Sequence, residues 1–112
     1  MKNFLFNILF FILFFTSCKK TNITEGTPES IKIKIEEFDK YQSCSDAKVN
    51  EYEFQSAIVY VFEPGSCGAD LAAPVYEKNG HELGYLGGIV GNTKINGQEF
   101  NSAKFVRTVW IK

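Results

Sequence analysis

Tyr52-Glu53-Phe54-Gln55-Ser56-Ala57-Ile58-Val59-Tyr60-Val61-Phe62-Glu63-Pro64-Gly65 is the stretch on which the fold turns. Tyr52, Phe54, Ile58, Tyr60 and Phe62 share one parity, and Ala57, Val59 and Val61 share the other. Side chains alternate faces along a strand, so a run that is apolar on both parities needs cover on both sides. The stretch predicts one long strand near the centre of a sheet, ended by the turn residues Pro64-Gly65.

Downstream, two Asn-Gly pairs punctuate the chain. Val75-Tyr76-Glu77-Lys78 and His81-Glu82-Leu83-Gly84-Tyr85 flank Asn79-Gly80, and Thr93-Lys94-Ile95 and Gln98-Glu99-Phe100 flank Asn96-Gly97. Both residue types accept positive φ, which makes Asn-Gly between such runs the strongest short hairpin signal. Phe105 to Ile111 reads as a last strand, with Val106, Thr108 and Trp110 on one parity and Phe105, Val109 and Ile111 on the other.

Upstream lies a helix. Thr27 suits an N-cap, Pro28 the first helical position, and Glu29 complements the positive helix end. Ile31, Ile35 and Phe38 recur at i, i+4 and i+7 as one apolar stripe. Ile31, Ile33 and Ile35 also alternate with lysines, as in a strand, but the start signal and Glu36-Glu37 favour the helix. The expectation is an α+β fold: one N-terminal helix packed on an antiparallel sheet of about four to five strands.

The first residues belong to a different object. Of the 112 residues, 11 are phenylalanine, and Phe4, Phe6, Phe10, Phe11, Phe14 and Phe15 crowd the start. Lys2 gives a positive n-region, and Phe4 to Phe15 an apolar segment too short for a bilayer span. Small Thr16 and Ser17 precede Cys18. Phe15-Thr16-Ser17-Cys18 resembles the lipobox of bacterial lipoproteins, although that family usually has leucine where Phe15 stands. The resemblance implies diacylglyceryl transfer to the Cys18 thiol, cleavage before it, and acylation of its amine by a chain such as palmitate. Two or three acyl chains anchor stably where one would be marginal. No acid immediately follows Cys18, since Lys19 and Lys20 come next and Glu25 is the first. Lipoproteins of the resembled kind that reach the cell surface usually carry acids there, so the resemblance implies an outer-membrane anchor facing the periplasm of a bacterial envelope, with surface display second. The domains expected are 1–17 as signal peptide, 18–27 as lipidated cysteine and flexible tether, and 28–112 as a small α+β domain.

Cys44 and Cys67 remain, an even pair in an oxidising compartment, and are expected to form a disulfide. Closing that loop is worth about 3 kcal/mol in the chain-entropy model. A metal site from Cys44, Cys67, Asp70 and His81 lacks close ligand pairs, so neither metal nor cofactor is expected. Ser66 sits in Pro-Gly-Ser-Cys-Gly without a Gly-x-Ser-x-Gly elbow, and no catalytic constellation emerges among Glu63, Asp70 and Glu77. The net charge is −1, with acids and bases interspersed, so no basic stripe points to nucleic acid. Gly84, Gly87, Gly88 and Gly91 cluster without a following helix to cradle phosphate. They read as bulges or bends, or as a groove where a ligand meets bare main chain, with Tyr85 and Asn92 beside it.

The segments Val59 to Asp70, Pro74-Val75-Tyr76, Asn79-Gly80 and Leu86-Gly87-Gly88-Ile89-Val90-Gly91-Asn92 resemble an uncharacterised domain of small Bacteroidota lipoproteins. The resemblance runs from about Pro28 onward and implies address and domain extent, with no catalytic residue to carry over. The expected role is a membrane-anchored, non-enzymatic module that binds an envelope protein or polymer. Its candidate binding residues are Pro64, Gly65, Ser66, Asp70, Tyr85, Gly87, Gly88 and Asn92. A second reading is an inhibitor of a periplasmic hydrolase, presenting Asp70 and the Pro64–Ala69 loop. A third is an enzyme acting on cell-wall sugars through Asp70, Glu77 and His81.

Overall fold

The computed structural model describes residues 22–112; the leader 1–17 and the lipidation residue Cys18 lie outside the described residues. In chain order come α1 (Glu29–Tyr41), β1 (Lys48–Phe54), β2 (Ala57–Glu63), β3 (Ala72–Glu77) and β4 (Glu82–Gly87). Then follow β5 (Lys94–Ile95), β6 (Gln98–Glu99), a 3-10 turn at Phe100–Ser102, and β7 (Lys104–Ile111). Five strands form an antiparallel sheet in the order β4-β3-β2-β1-β7, and β5-β6 is a separate two-stranded hairpin. One helix on one antiparallel sheet is the expected α+β architecture.

The long strand read over Tyr52–Phe62 is instead a hairpin. Gln55 and Ser56 both adopt positive φ, 52° and 62°, and Phe54 pairs with Ala57. A two-residue turn of this mirror-image kind matches the twist of the strands it joins. Neither residue belongs to the usual Asn-Gly signal, so the reversal is silent in the sequence. It also changes the faces. Directly paired residues share a face, so Tyr52 joins Val59 rather than Tyr60. The Ala57–Glu63 half is the central strand, with Val59, Tyr60, Val61 and Phe62 all buried.

Each face of the sheet has its own apolar cover. On one, Ile31, Ile35 and Phe38 of α1 meet Val49, Tyr60, Phe62, Val109 and Trp110. Phe38 lies edge-on to Phe62 and Trp110, at 5.3 and 5.9 Å between centroids. Removing a ring so enclosed costs about 3–5 kcal/mol. Ile33, off the apolar stripe, is exposed. On the other face, Phe54, Val59, Val61 and Val75 pack with Ile95 of the small hairpin, flanked by Tyr52, Leu86 and Phe100.

β7 departs from the alternation expected of it. Val49 pairs with Trp110 and Asn50 with Thr108, which leaves Val109 as the extra residue of a bulge. The bulge turns Val109 and Trp110 into the same helix-side core, which strict alternation forbids. The expected Thr27 cap is also absent. The Thr27 hydroxyl donates to the Thr24 carbonyl at 2.6 Å, while the Pro28 carbonyl accepts from Ile31 and Lys32 to open the helix.

Residues 23 and 24, expected within a flexible tether, lie against β7: Ile23 bridges Trp110 and the Thr24 amide donates to the Val109 carbonyl at 2.8 Å. This strap is held by a partly exposed polar cluster around the buried Glu51. Arg107 donates through Nε and Nη2 to Glu51 Oε1, both at 3.3 Å, and through Nη1 to the Glu25 carbonyl at 3.0 Å. Burial, and then the Glu51 carboxylate, push the Tyr60 hydroxyl up to about 12.

The register divides the sheet into two ends. Lys48 pairs with Glu63 and with Ile111, and Ala72 pairs with Gly87. The segments 42–47, 64–71 and 88–93 and the C-terminus therefore gather at one end, the loop end. The turns Gln55-Ser56 and Lys78–Gly80 occupy the other, the turn end. No described helix is long and apolar enough to cross a membrane.

Candidate functional site

The loop end is built around Cys44, which follows α1. Its amide donates to the Pro64 carbonyl at 2.7 Å, and it pairs with Cys67 across a Cα separation of 5.5 Å as the expected disulfide. Asp46 then clamps the loop. Its Oδ1 accepts from the Ser66 amide at 2.9 Å and its Oδ2 from the Ser66 hydroxyl. These two bonds, the hydroxyl first, hold the Asp46 carboxyl below the usual carboxylate range. Gly65 has φ +100°, and a Cβ there would strike Asp46 Oδ1 and come within 2.8 Å of the Cys44 Cβ. Only glycine lets the loop pass so close to both residues.

Beside this loop, on the face away from α1, runs an open groove of about 540 Å³. Tyr52, Val61, Ala73, Leu86 and Phe100 supply its apolar surface, and Asp46, Lys48 and Glu63 its charges. The Tyr52 and Phe100 rings meet edge-on at 5.2 Å. Lys48 and Glu63 form a half-exposed ion pair at 3.9 Å. Glu63 also accepts from the Asn50 amide at 2.8 Å, and Asn50 in turn accepts from the Thr108 hydroxyl at 2.7 Å. A groove of this make-up suits a chain with an apolar body and polar groups along one side.

The structure brings only some of the predicted site residues together. Pro64, Gly65 and Gly87 line the groove. Ser66 is engaged by Asp46, and Asp70 adopts φ 56° in the exposed turn before β3, outside the groove lining. Tyr85 and Gly88 lie at the far side of the loop end, where a Cβ on Gly88 would touch the Tyr85 ring at 3.5 Å. Asn92 is a tie rather than a ligand group. Its side-chain amide donates to the Tyr85 and Lys94 carbonyls, and its backbone exchanges bonds with Gly87 at 2.8 and 3.0 Å.

Between those ties stands a turn, Gly88-Ile89-Val90-Gly91, closed by a Gly91 amide to Gly88 carbonyl bond at 3.1 Å. Ile89 and Val90 are 88% and 77% exposed at its tip. Sequence reasoning named the glycines and passed over the two aliphatic residues between them. The available signal was a pair of β-branched residues in turn chemistry, where polar residues are the rule. It also passed over Asp46, Lys48 and Phe100, which only the tertiary fold brings to the groove.

The other constellations do not assemble. His81 and Glu77 share the turn end, joined by a Glu77 amide to His81 carbonyl bond at 2.9 Å, while Asp70, Glu63 and Cys67 lie at the loop end. Neither the four-residue metal set nor the Asp70, Glu77, His81 set therefore converges. Among the described residues, no group of three or more His, Cys, Asp or Glu side chains is placed to hold a metal ion.

A family model described as a domain of unknown function, DUF6970, matches residues 36–112, from within α1 to the last residue. The chain belongs to that family. No curated protein and no solved structure matches it.

Proposed function

We propose that this member of a family without assigned activity is a lipid-anchored binding module of a bacterial envelope, of the kind found in Bacteroidota lipoproteins. Cys18 carries the acyl chains, the outer membrane holds them, and the domain faces the periplasm. The groove at the loop end is the binding site, and its occupant is an extended segment of an envelope protein or polymer. One observation supports this most: two separately suspected places, Pro64-Gly65 and Gly87, line the same groove with an aromatic and aliphatic surface between them. Bare main chain on both sides lets a partner backbone approach closely.

The test is photocrosslinking in intact cells, with a reactive residue replacing Leu86 in the groove or Ser56 at the turn end. The expected result is a discrete adduct from position 86 and none from 56. Equal adducts from both positions, or none from 86, would sink the groove as a site. The anchor is tested separately. Cys18→Ala is expected to abolish lipid labelling and to leave uncleaved precursor.

A second reading has its own support in the rigidity of the Pro64–Ala69 loop, fixed by the disulfide and the Asp46 clamp. A loop so held suits presentation to a hydrolase cleft. Inhibition of a periplasmic protease or lysozyme, lost on loop substitution at unchanged melting temperature, would favour it over the groove.

A further inference from the structure

We infer that the Ile89-Val90 turn is a second membrane contact, inserting two aliphatic side chains into the lipid surface to which the chain is anchored. The inference rests on the anchored reading and adds a docked orientation to it.

The first support is the turn itself. The reciprocal Gly87–Asn92 bonds, the Gly88–Gly91 bond and the Asn92 side chain fix its backbone. Ile89 and Val90 are thus held out in water instead of folding back on the sheet. Single exposed aliphatics are ordinary on protein surfaces, but two adjacent ones on a rigid projection are not dispersed surface. Preorganisation removes most of the ordering that insertion would otherwise require.

The second support is where the chain enters. Ile23 pairs antiparallel with Trp110, so the chain arrives beside Ile111, at the same end of the sheet as Gly87. Four residue steps separate Cys18 from Asn22, which extend to about 14 Å at most. A leash this short and entering here keeps the loop end, not the turn end, close to the membrane. The entering segment lies outside β7 and the tip at the β4 edge, five strand spacings apart, or roughly 24 Å. Ile111 at one edge and Leu71 near the other are also exposed, at 66% and 41%. An anchor at one edge and an apolar tip at the other make a two-point contact across the width of the sheet.

The probe is a single free thiol. Cys44 and Cys67 are paired and Cys18 is acylated, so Ile89→Cys can be labelled alone with an environment-sensitive fluorophore in the full processed chain. In vesicles of phosphatidylethanolamine and phosphatidylglycerol, the label is expected to shift to the blue and to be quenched by lipids carrying spin labels on their acyl chains. The same label at Ser56→Cys should show neither effect. A tip label that stays water-like while acyl labelling of Cys18 succeeds overturns the inference and leaves the anchor standing. If Cys18 proves unlabelled, the anchored reading fails. The tip is then judged on the unacylated full chain: the Ile89→Asp, Val90→Asp pair should lower vesicle cosedimentation about tenfold. No change there overturns the insertion. A tip crosslink to a protein in place of lipid also overturns it, and assigns the turn to a protein partner.

Discussion

At the turn end, the chain reverses within two or three residues, through Gln55-Ser56 and Lys78–Gly80, and strand pairing on both sides holds each reversal. At the loop end, the Pro64–Leu71 and Gly88–Thr93 segments leave the ladder and carry their own ties: a disulfide, the Asp46 clamp and the Gly87–Asn92 exchange. The two ends show two ways to order a connection. Where strands close the turn, even two non-glycine residues tolerate positive φ. Where no ladder continues, order comes from cross-links, which permit exposed shapes that a tight turn cannot make. That freedom is why the groove and the projecting tip both lie at the loop end.

The contrast breaks most easily at the staple. Replacing both cysteines, Cys44→Ser with Cys67→Ser, should lower unfolding stability in urea by about 3 kcal/mol. Amide exchange should accelerate first in 64–71. A loss below about 1 kcal/mol would mean that the other loop-end ties suffice without it.

At the turn end the expectation reverses in sign. Gln55→Asn with Ser56→Gly supplies residues suited to the left-handed region and should raise stability by about 0.5–1 kcal/mol. Thermal or urea unfolding reads this directly. A decrease would show that the Gln55 or Ser56 side chain contributes something the turn geometry does not require.

The smallest effect is a pH response confined to the loop end. The folded state holds the Asp46 carboxyl below its ordinary range, through the Ser66 hydroxyl and amide. Its contribution is therefore present above the ordinary aspartate range and is lost as pH falls through the lowered value. Ser66→Ala should move the Asp46 titration upward, and the amide of Cys67 should exchange faster at a given acidic pH. Amides at Gln55-Ser56 should be unaffected. An unchanged Asp46 titration, followed by NMR, would remove the clamp from the description.

Much of the architecture was legible from local pattern. The Ile31, Ile35, Phe38 stripe is the buried face of α1, Asn96-Gly97 makes the small hairpin with both φ values positive, and Cys44 meets Cys67. What escaped was set by non-local contacts. Gln55-Ser56 turns because β1 and β2 pair, and nothing in those two side chains announces it. Val109 joins Trp110 in one core because β7 bulges against β1. Asp46 is unremarkable until Ser66 is beside it. The groove, likewise, needs Tyr52, Leu86 and Phe100 from three separated elements, so only its Pro64-Gly65 and Gly87 sides could be suspected in advance.

The strap at Ile23 has a consequence for when the polypeptide can close its fold. Synthesis releases the N-terminus first, yet residues 23 and 24 rest on 109 and 110, and β1 has β7 as one of its two partners. Until the last segment emerges, α1 lacks Trp110 beneath it and β1 keeps a bare side. Such long-range closure is slow and comes late. A nascent chain of this order locks only once β7 is available to close the sheet.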